Sequence, residues 1–203
     1  MKRIIFTQRV DVIESYGERR DCADQNISGF IAACGFLPIP IMNNPLLAAT
    51  FCEAIEPDGI FFTGGNDLAS YGGNALERDE TERTLIEYSV KKNIPLFGIC
   101  RGMQMIADYY GVKLEGVEGH IRVQHPIKGQ ITRDGVNSFH GMGIRSVPFP
   151  LVELSRSDDG VIEAIQHKDY RIAGIMWHPE RVEGYSKEDI TMVSNFYNGG
   201  ALI

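Results

Sequence analysis

The stretch Pro95-Leu96-Phe97-Gly98-Ile99-Cys100-Arg101-Gly102-Met103-Gln104-Met105-Ile106-Ala107 constrains this chain most. Leu96 to Ile99 is a short apolar run behind a proline, the pattern of a fully buried strand. From Arg101 to Tyr110, Met103, Ile106 and Ala107 recur at helical spacing and share one face. Cys100 stands at the junction, with Gly98 and Gly102 two residues to either side. Gly-x-Cys-x-Gly is the thiol version of a strand-to-helix elbow. Such an elbow strains the central residue and packs the flanking chain closely, so its neighbours must be small. It raises the side chain at the carboxyl end of the sheet. It also sets the thiol at a helix N-terminus, where the dipole favours thiolate. Alone, the pattern fits a buried junction cysteine as well as a nucleophile.

A partner lies near the other end, in Ile172-Ala173-Gly174-Ile175-Met176-Trp177-His178-Pro179-Glu180. An apolar strand runs into His178. In extended chain, residues two apart share a face, so Glu180 is expected beside the imidazole, and Pro179 keeps His178 out of the helical region. Cysteine, histidine and carboxylate together make a nucleophile, its base and an orienter.

The remaining pattern predicts an α/β chain. Strands are expected at Arg3 to Thr7, Leu37 to Ile41, Gly59 to Phe62 and Leu96 to Ile99. Helices are expected at 22–34, 45–55 and 80–92. This alternation implies a doubly wound, mainly parallel sheet with helices on both faces. The prolines in Leu37 to Ile41 place that strand at an edge. Gln8 to Gly17 reads as a loop, and Gly111 to Phe139 as glycine-rich and short-stranded. Leu151 to Arg156, Val161 to Gln166 and Arg171 to Met176 read as consecutive strands joined by turns, a small antiparallel portion. Ser186 caps a last helix ending at Tyr197. With 203 residues, one domain spanning 1–203 is the expectation.

Net charge of −7 without a basic block argues against nucleic acid as a partner. The apolar run at the N-terminus is too short for a signal sequence, and no long apolar span follows. No membrane association and a cytoplasmic location are therefore expected. Cys22, Cys34, Cys52 and Cys100 form no Cys-x-x-Cys pair. Free thiols in a reducing compartment suit a thiolate. His120, His125 and His167 show no metal-like spacing, so no metal and no cofactor are expected. Nor is His140 given a catalytic role.

Gly98-Ile99-Cys100-Arg101-Gly102-Met103-Gln104 together with Trp177-His178-Pro179-Glu180 resembles the class I glutamine amidotransferase-like superfamily, with its flavodoxin-like α/β fold. Thr7-Gln8-Arg9, Thr63-Gly64-Gly65-Asn66-Asp67, Tyr71-Gly72, Arg78-Asp79 with Glu82, Asn137-Ser138-Phe139-His140 and Asp159-Gly160-Val161-Ile162-Glu163-Ala164 resemble its γ-glutamyl-γ-aminobutyrate hydrolase branch, counted among the cysteine peptidases. The match spans nearly the whole chain in the family's order.

The resemblance implies hydrolysis of a γ-glutamyl amide through a Cys100-His178-Glu180 triad and a thioester, releasing glutamate. The backbone N–H of Arg101 follows the nucleophile and is one oxyanion donor; the resemblance assigns the other to Gly65. Gln104, one helical turn past Cys100, can face the same cavity, and related glutamines line the glutamyl pocket. Ser138 and Phe139 serve the same pocket by resemblance, and Asn66 is a further candidate contact. Arg9, leaving the first strand, is a candidate grip for an anionic leaving group, with Arg19 and Arg20 as weaker ones. The Arg78, Asp79 and Glu82 charges read as a salt-bridged helix start. The expected partner is a small-molecule γ-glutamyl substrate. The alternatives are a glutaminase subunit feeding ammonia to a separate synthase, and a hydrolase acting on γ-glutamyl-γ-aminobutyrate. Glutaminase subunits usually carry leucine after the nucleophile, so Arg101 favours a stand-alone hydrolase with no obligatory synthase partner.

Overall fold

Residues Arg3–Phe6 form strand β1 and bury both of its faces. Ile4 and Phe6 point to one side and Ile5 to the other, as the two-residue period of a strand requires. The same double burial holds for β5 (Gly59–Phe62), β6 (Leu96–Ile99) and β13 (Ile172–Ile175). Strands hidden on both faces need helices on both faces. One layer is α1 (Gln25–Ala33) and α5 (Lys187–Tyr197), packed on Ile4, Phe6, Phe61, Phe97 and Ile99. The other is α2 (Pro45–Ile55), α3 (Leu76–Lys92) and α4 (Arg101–Tyr109), packed on Ile5, Ile60, Phe62 and Leu96. This computed structural model describes residues 1–200 and 202.

The remaining strands are β2 (Arg9–Ile13), β3 (Glu18–Cys22), β4 (Leu37–Pro40), β7 (Glu115–Gly116), β8 (Ile121–Gly129), β9 (Arg133–Phe139), β10 (Met142–Gly143), β11 (Leu151–Ser157) and β12 (Ile162–His167). The main sheet has nine strands in the order β4-β1-β5-β6-β13-β12-β11-β8-β9. The first five are parallel. Numbered along the chain among themselves they run 2-1-3-4-5, the flavodoxin-like doubly wound order. β12, β11, β8 and β9 extend the sheet in antiparallel fashion. β4, with Pro38 and Pro40, lies at the edge.

Two stretches differ from the sequence reading. Gln8 to Gly17 is not a loop: β2 pairs antiparallel with β3 from Arg9 opposite Cys22 to Ile13 opposite Glu18, as a separate two-stranded ribbon. Gly111 to Phe139 is not short-stranded throughout, since β8 and β9 are 9 and 7 residues long. Both stretches have largely exposed side chains, so apolar alternation does not mark them.

The carboxyl ends of β1, β5, β6 and β13 deliver Arg9, the Thr63–Asn66 loop, Cys100 and His178 to one edge of the sheet. Strand order reverses between β1 and β5, the position where doubly wound sheets open a ligand crevice.

Candidate active site

Cys100 joins β6 to α4 with φ 48° and ψ −108°, a conformation L-residues rarely adopt and one that costs about 1–3 kcal/mol. Its backbone N–H donates to the Ile175 carbonyl at 2.7 Å, tying the elbow to β13. The flanking glycines are required by contact. A Cβ on Gly98 would lie 2.5 Å from the Gly102 carbonyl carbon, and one on Gly102 would lie 2.5 Å from the Phe62 carbonyl oxygen. The other three thiols are raised by burial, Cys34 and Cys52 to about 12 and Cys22 with help from Asp11. They are poor nucleophiles at neutral pH.

His178 Nδ1 lies 2.7 Å from Glu180 Oε1, and both side chains are buried. The reach is made differently from the extended geometry expected. Residues Pro179–Arg181 form a short 3₁₀ turn with His178 at its head, and that turn swings Glu180 back onto the ring. Burial pushes the imidazole down, but its hydrogen bond with Cys100, the Cys100 charge and the Glu180 contact outweigh it and hold His178 up at about 9. The arrangement therefore favours the protonated form of His178. Gly64 closes over the ring: a Cβ there would be 2.8 Å from His178 Cε1.

Two clefts flank these groups. One, of about 220 Å³, is lined by Cys100, Arg101, Gln104, Asn66, Phe139 and His140. The other, of about 340 Å³, is lined by His178, Glu180, Gly64, Arg9, Arg181 and Asp11. Gly65 lines both and stands between them. Its φ of 80° is the left-handed conformation that glycine adopts without strain. Gln104 is buried, and its side-chain amide donates to the Met142 carbonyl at 2.9 Å. The amide carbonyl oxygen is thereby presented as an acceptor.

The class-I glutamine amidotransferase family model matches residues 21–198. The chain belongs to this family. Members of the family are cysteine-dependent amide hydrolases, and this chain is one of them. It is 35% identical over 190 residues to a γ-glutamyl-CDP-amidate hydrolase of Campylobacter jejuni subsp. jejuni serotype O:2, covering 91% of this chain and 93% of that one. It is 32% identical over 151 residues to a glutamine-hydrolysing GMP synthase subunit of Methanococcoides burtonii, covering 70% and 73%. In fold it is similar to a GMP synthase subunit-like protein of Thermoplasma acidophilum, with a TM-score of 0.73 at 17% identity, over 98% of this chain and 93% of that one.

Several residues of this chain do more than their spacing suggested. Arg78 sits in the expected salt-bridged start of α3 and is also fully buried, and its guanidinium is lowered to about 9 chiefly by that burial. It donates to the carbonyls of Thr63 (2.7 Å), Gly64 (3.1 Å) and Gly65, so the loop's carbonyls point away from the clefts. Its Nε bonds Glu82 at 3.1 Å, and the Arg101 side chain bridges Glu82 and Asp79. Burial and repulsion from Arg78 hold the Arg101 guanidinium well below its ordinary value. Asn137 clamps His178 from both sides, accepting from its N–H at 2.7 Å and donating to its carbonyl at 2.8 Å. Both functions were invisible in the sequence, which offered these residues only as motif members.

Asn66 has its side chain committed to the Val10 backbone, accepting at 2.8 Å and donating at 2.9 Å, so it meets the cleft through its main chain. The Ser138 hydroxyl donates to the His120 carbonyl at 2.7 Å. The Phe139 ring stands edge-on to His178 with centroids 5.5 Å apart. Arg9 reaches the cleft beside Gly65 and pairs with Asp11 at 3.0 Å. Arg19 pairs with Glu77 and Arg20 with Glu18, and neither lines these clefts. Arg181, which the sequence reading passed over, lies 4.6 Å above the Phe139 ring and lines the cleft with Arg9.

His167 accepts hydrogen bonds from the Asp169 and Tyr170 N–H groups and shapes a turn. His120 and His125, which show no metal-like spacing in sequence, are brought beside His140 by the fold. His120, His125 and His140 converge on Glu163. No sequence spacing reveals this, because the four residues come from different segments of the sheet and its loops. Among the described residues, no helix is long and apolar enough to cross a membrane.

Proposed function

We propose that this chain hydrolyses a γ-glutamyl amide, with γ-glutamyl-CDP-amidate as the specific substrate. The observation that carries the reading is the pair of clefts meeting at Gly65, with Cys100 in one and His178 in the other. A glutamyl head fits beside Gln104, whose free amide oxygen can accept from its ammonium group. An anionic leaving group fits on the other side, between Arg9 and Arg181.

In this reading Cys100 Sγ attacks the γ-carbonyl carbon, and the backbone N–H groups of Arg101 and Gly65 receive the developing oxyanion. The tetrahedral species collapses to a thioester as His178 passes its proton to the departing nitrogen. A water, deprotonated by His178, then attacks the thioester, releasing glutamate and restoring the thiol. Glu180 fixes the imidazole tautomer and balances its charge. The second product would be cytidine diphosphoramidate, used to modify a capsular polysaccharide.

Support for the specific substrate comes from the 35% identity with the Campylobacter hydrolase across nearly both chains. A glutaminase subunit serving a separate synthase is the competing reading, favoured by the likeness to the Methanococcoides GMP synthase chain. Arg101 weighs against it, since a leucine there would leave Asp79 and Glu82 short of a buried cation. The deciding experiment is glutamate release by the purified protein from γ-glutamyl-CDP-amidate, γ-glutamyl-γ-aminobutyrate and glutamine. The proposal expects the highest kcat/KM on the nucleotide substrate. Preference for glutamine, stimulated by a second protein, would move the chain to the ammonia-supplying class.

A further inference from the structure

A buried cluster that the proposed mechanism does not use lies beside the Cys100 cleft, whose lining includes His140. His120 and His140 are almost completely buried and Glu163 completely so, while His125 is mostly buried. His120 precedes β8, His125 lies on β8, His140 follows β9 and Glu163 lies on β12. One ligand-capable atom from each falls within 4.8 Å of all the others.

The outward nitrogens each have a partner. His120 Nε2 sits 3.2 Å from an Asp159 carboxylate oxygen, His125 Nδ1 sits 3.2 Å from the Pro126 carbonyl, and His140 Nδ1 sits 3.1 Å from the Met142 carbonyl. Each of those contacts suits a ring N–H as donor, which in a neutral ring leaves the inward nitrogen free to ligate. The inward nitrogens lie 3.4, 3.6 and 3.5 Å from the same oxygen, Glu163 Oε1. Among the described residues, neither they nor either Glu163 oxygen has a hydrogen-bond partner. Three ring nitrogens and a carboxylate thus converge in a buried space without hydrogen-bond partners, a donor set that a bound cation would satisfy.

We propose that His120, His125, His140 and Glu163 bind one divalent transition metal ion, zinc being the ion whose chemistry fits best. A tetrahedron with metal–ligand bonds of about 2.0–2.1 Å has edges of about 3.3–3.4 Å, close to the three nitrogen–oxygen separations. Three imidazoles and one carboxylate form a borderline donor set suited to zinc rather than to calcium or magnesium. Outward ring N–H groups bonded to a carboxylate or a carbonyl are the usual second layer of such sites. With four protein ligands the site is closed, so its role is structural. The ion would staple the β8–β9 hairpin and the Met142 segment to β12. Those segments carry Ser138, Phe139 and the carbonyl that holds Gln104. A consequence for glutamyl binding rests on the function proposed above; the metal site itself does not.

The test uses tag-free protein carrying Cys100→Ala, which removes metal capture by the elbow thiol. The protein is stripped with a chelator, then titrated with zinc and with cobalt(II), with bound metal counted by mass spectrometry. The proposal expects one ion per chain, tetrahedral cobalt(II) bands in the visible, and a higher Tm on reloading. His125→Ala, the least buried ligand, is expected to weaken zinc by at least about tenfold and to abolish the Tm rise, while His167→Ala leaves both unchanged. Stripped protein that takes up no stoichiometric ion, or binds it equally well with His125→Ala, overturns the proposal. None of these readouts depends on turnover, so failure of the metal site and failure of the hydrolase reading are told apart.

Discussion

In the proposed mechanism the Arg101 side chain and its backbone N–H have separate tasks, and Arg101→Leu separates them. Arg78, Arg101, Asp79 and Glu82 form a buried quartet with balanced formal charge. Glu82 Oε1 is engaged by Arg78 and Asp79 Oδ2 by the Ala69 N–H, while the remaining oxygens face Arg101. Leucine there leaves one uncompensated buried negative charge. Breaking a buried pair in this way costs about 3–5 kcal/mol. At roughly 2–4 °C per kcal/mol for a chain of this size, Tm is expected to fall by about 6–20 °C. Adding Glu82→Gln restores charge balance and is expected to recover about half of the loss, a coupling visible only if the two sites share a network. Urea unfolding and thermal scans of the parent, both single variants and the double variant measure this. Because the oxyanion donor in the proposed mechanism is main chain, kcat/KM of Arg101→Leu at a temperature where it stays folded should remain within about tenfold of the parent. A stability change under about 1 kcal/mol, or a double variant as unstable as the two losses added together, would refute the charge-balance reasoning.

Three further outcomes are expected. His178→Ala should lower kcat more than Glu180→Gln, because the carboxylate orients the imidazole and does not carry the proton; equal and complete losses in folded protein would give Glu180 a more direct part. Gln104→Leu should raise KM for γ-glutamyl substrates and spare alkylation of Cys100 by iodoacetamide, since the amide faces the cleft without belonging to the triad; the reverse pattern would exchange those roles. His178 is held at about 9, above its unfolded value near ~6.5, so its contribution to stability is present in full below ~6.5 and is lost as pH rises through about 9. The stability gap between the parent and His178→Gln should therefore narrow across that window, and a gap that widened with pH would contradict the raised imidazole.

Local pattern made the elbow at Cys100 legible. Gly98 and Gly102 are glycines because main chain and Phe62 crowd them, and that crowding is what a Gly-x-Cys-x-Gly elbow implies. The parallel half of the sheet was legible for a similar reason: β5, β6 and β13 are apolar on both faces and cannot be mistaken for loops. What stayed hidden depends on contacts distant in sequence. The β2–β3 ribbon stands apart from the main sheet, and the exposed side chains of Glu18 to Asp21 give no alternation. Arg78 read only as part of a salt-bridged helix start, and its place under the Thr63–Gly65 carbonyls came from the fold. Asn137 clamps His178 across 41 residues of chain. His120 and His140 meet because β8 and β9 pair Ile121 with Phe139, a register that no local spacing encodes.

The proposed mechanism turns on a glutamyl thioester at Cys100. Rapid quenching of the parent during turnover of γ-glutamyl-CDP-amidate, followed by peptide mass spectrometry, looks for that species itself. The expected result is a mass increase of one glutamyl residue on the peptide carrying Cys100, absent from Cys100→Ala, which should lose at least ~10³-fold in turnover while remaining folded. Continued glutamate release by Cys100→Ala, or an adduct on Cys22, Cys34 or Cys52 instead, would contradict it.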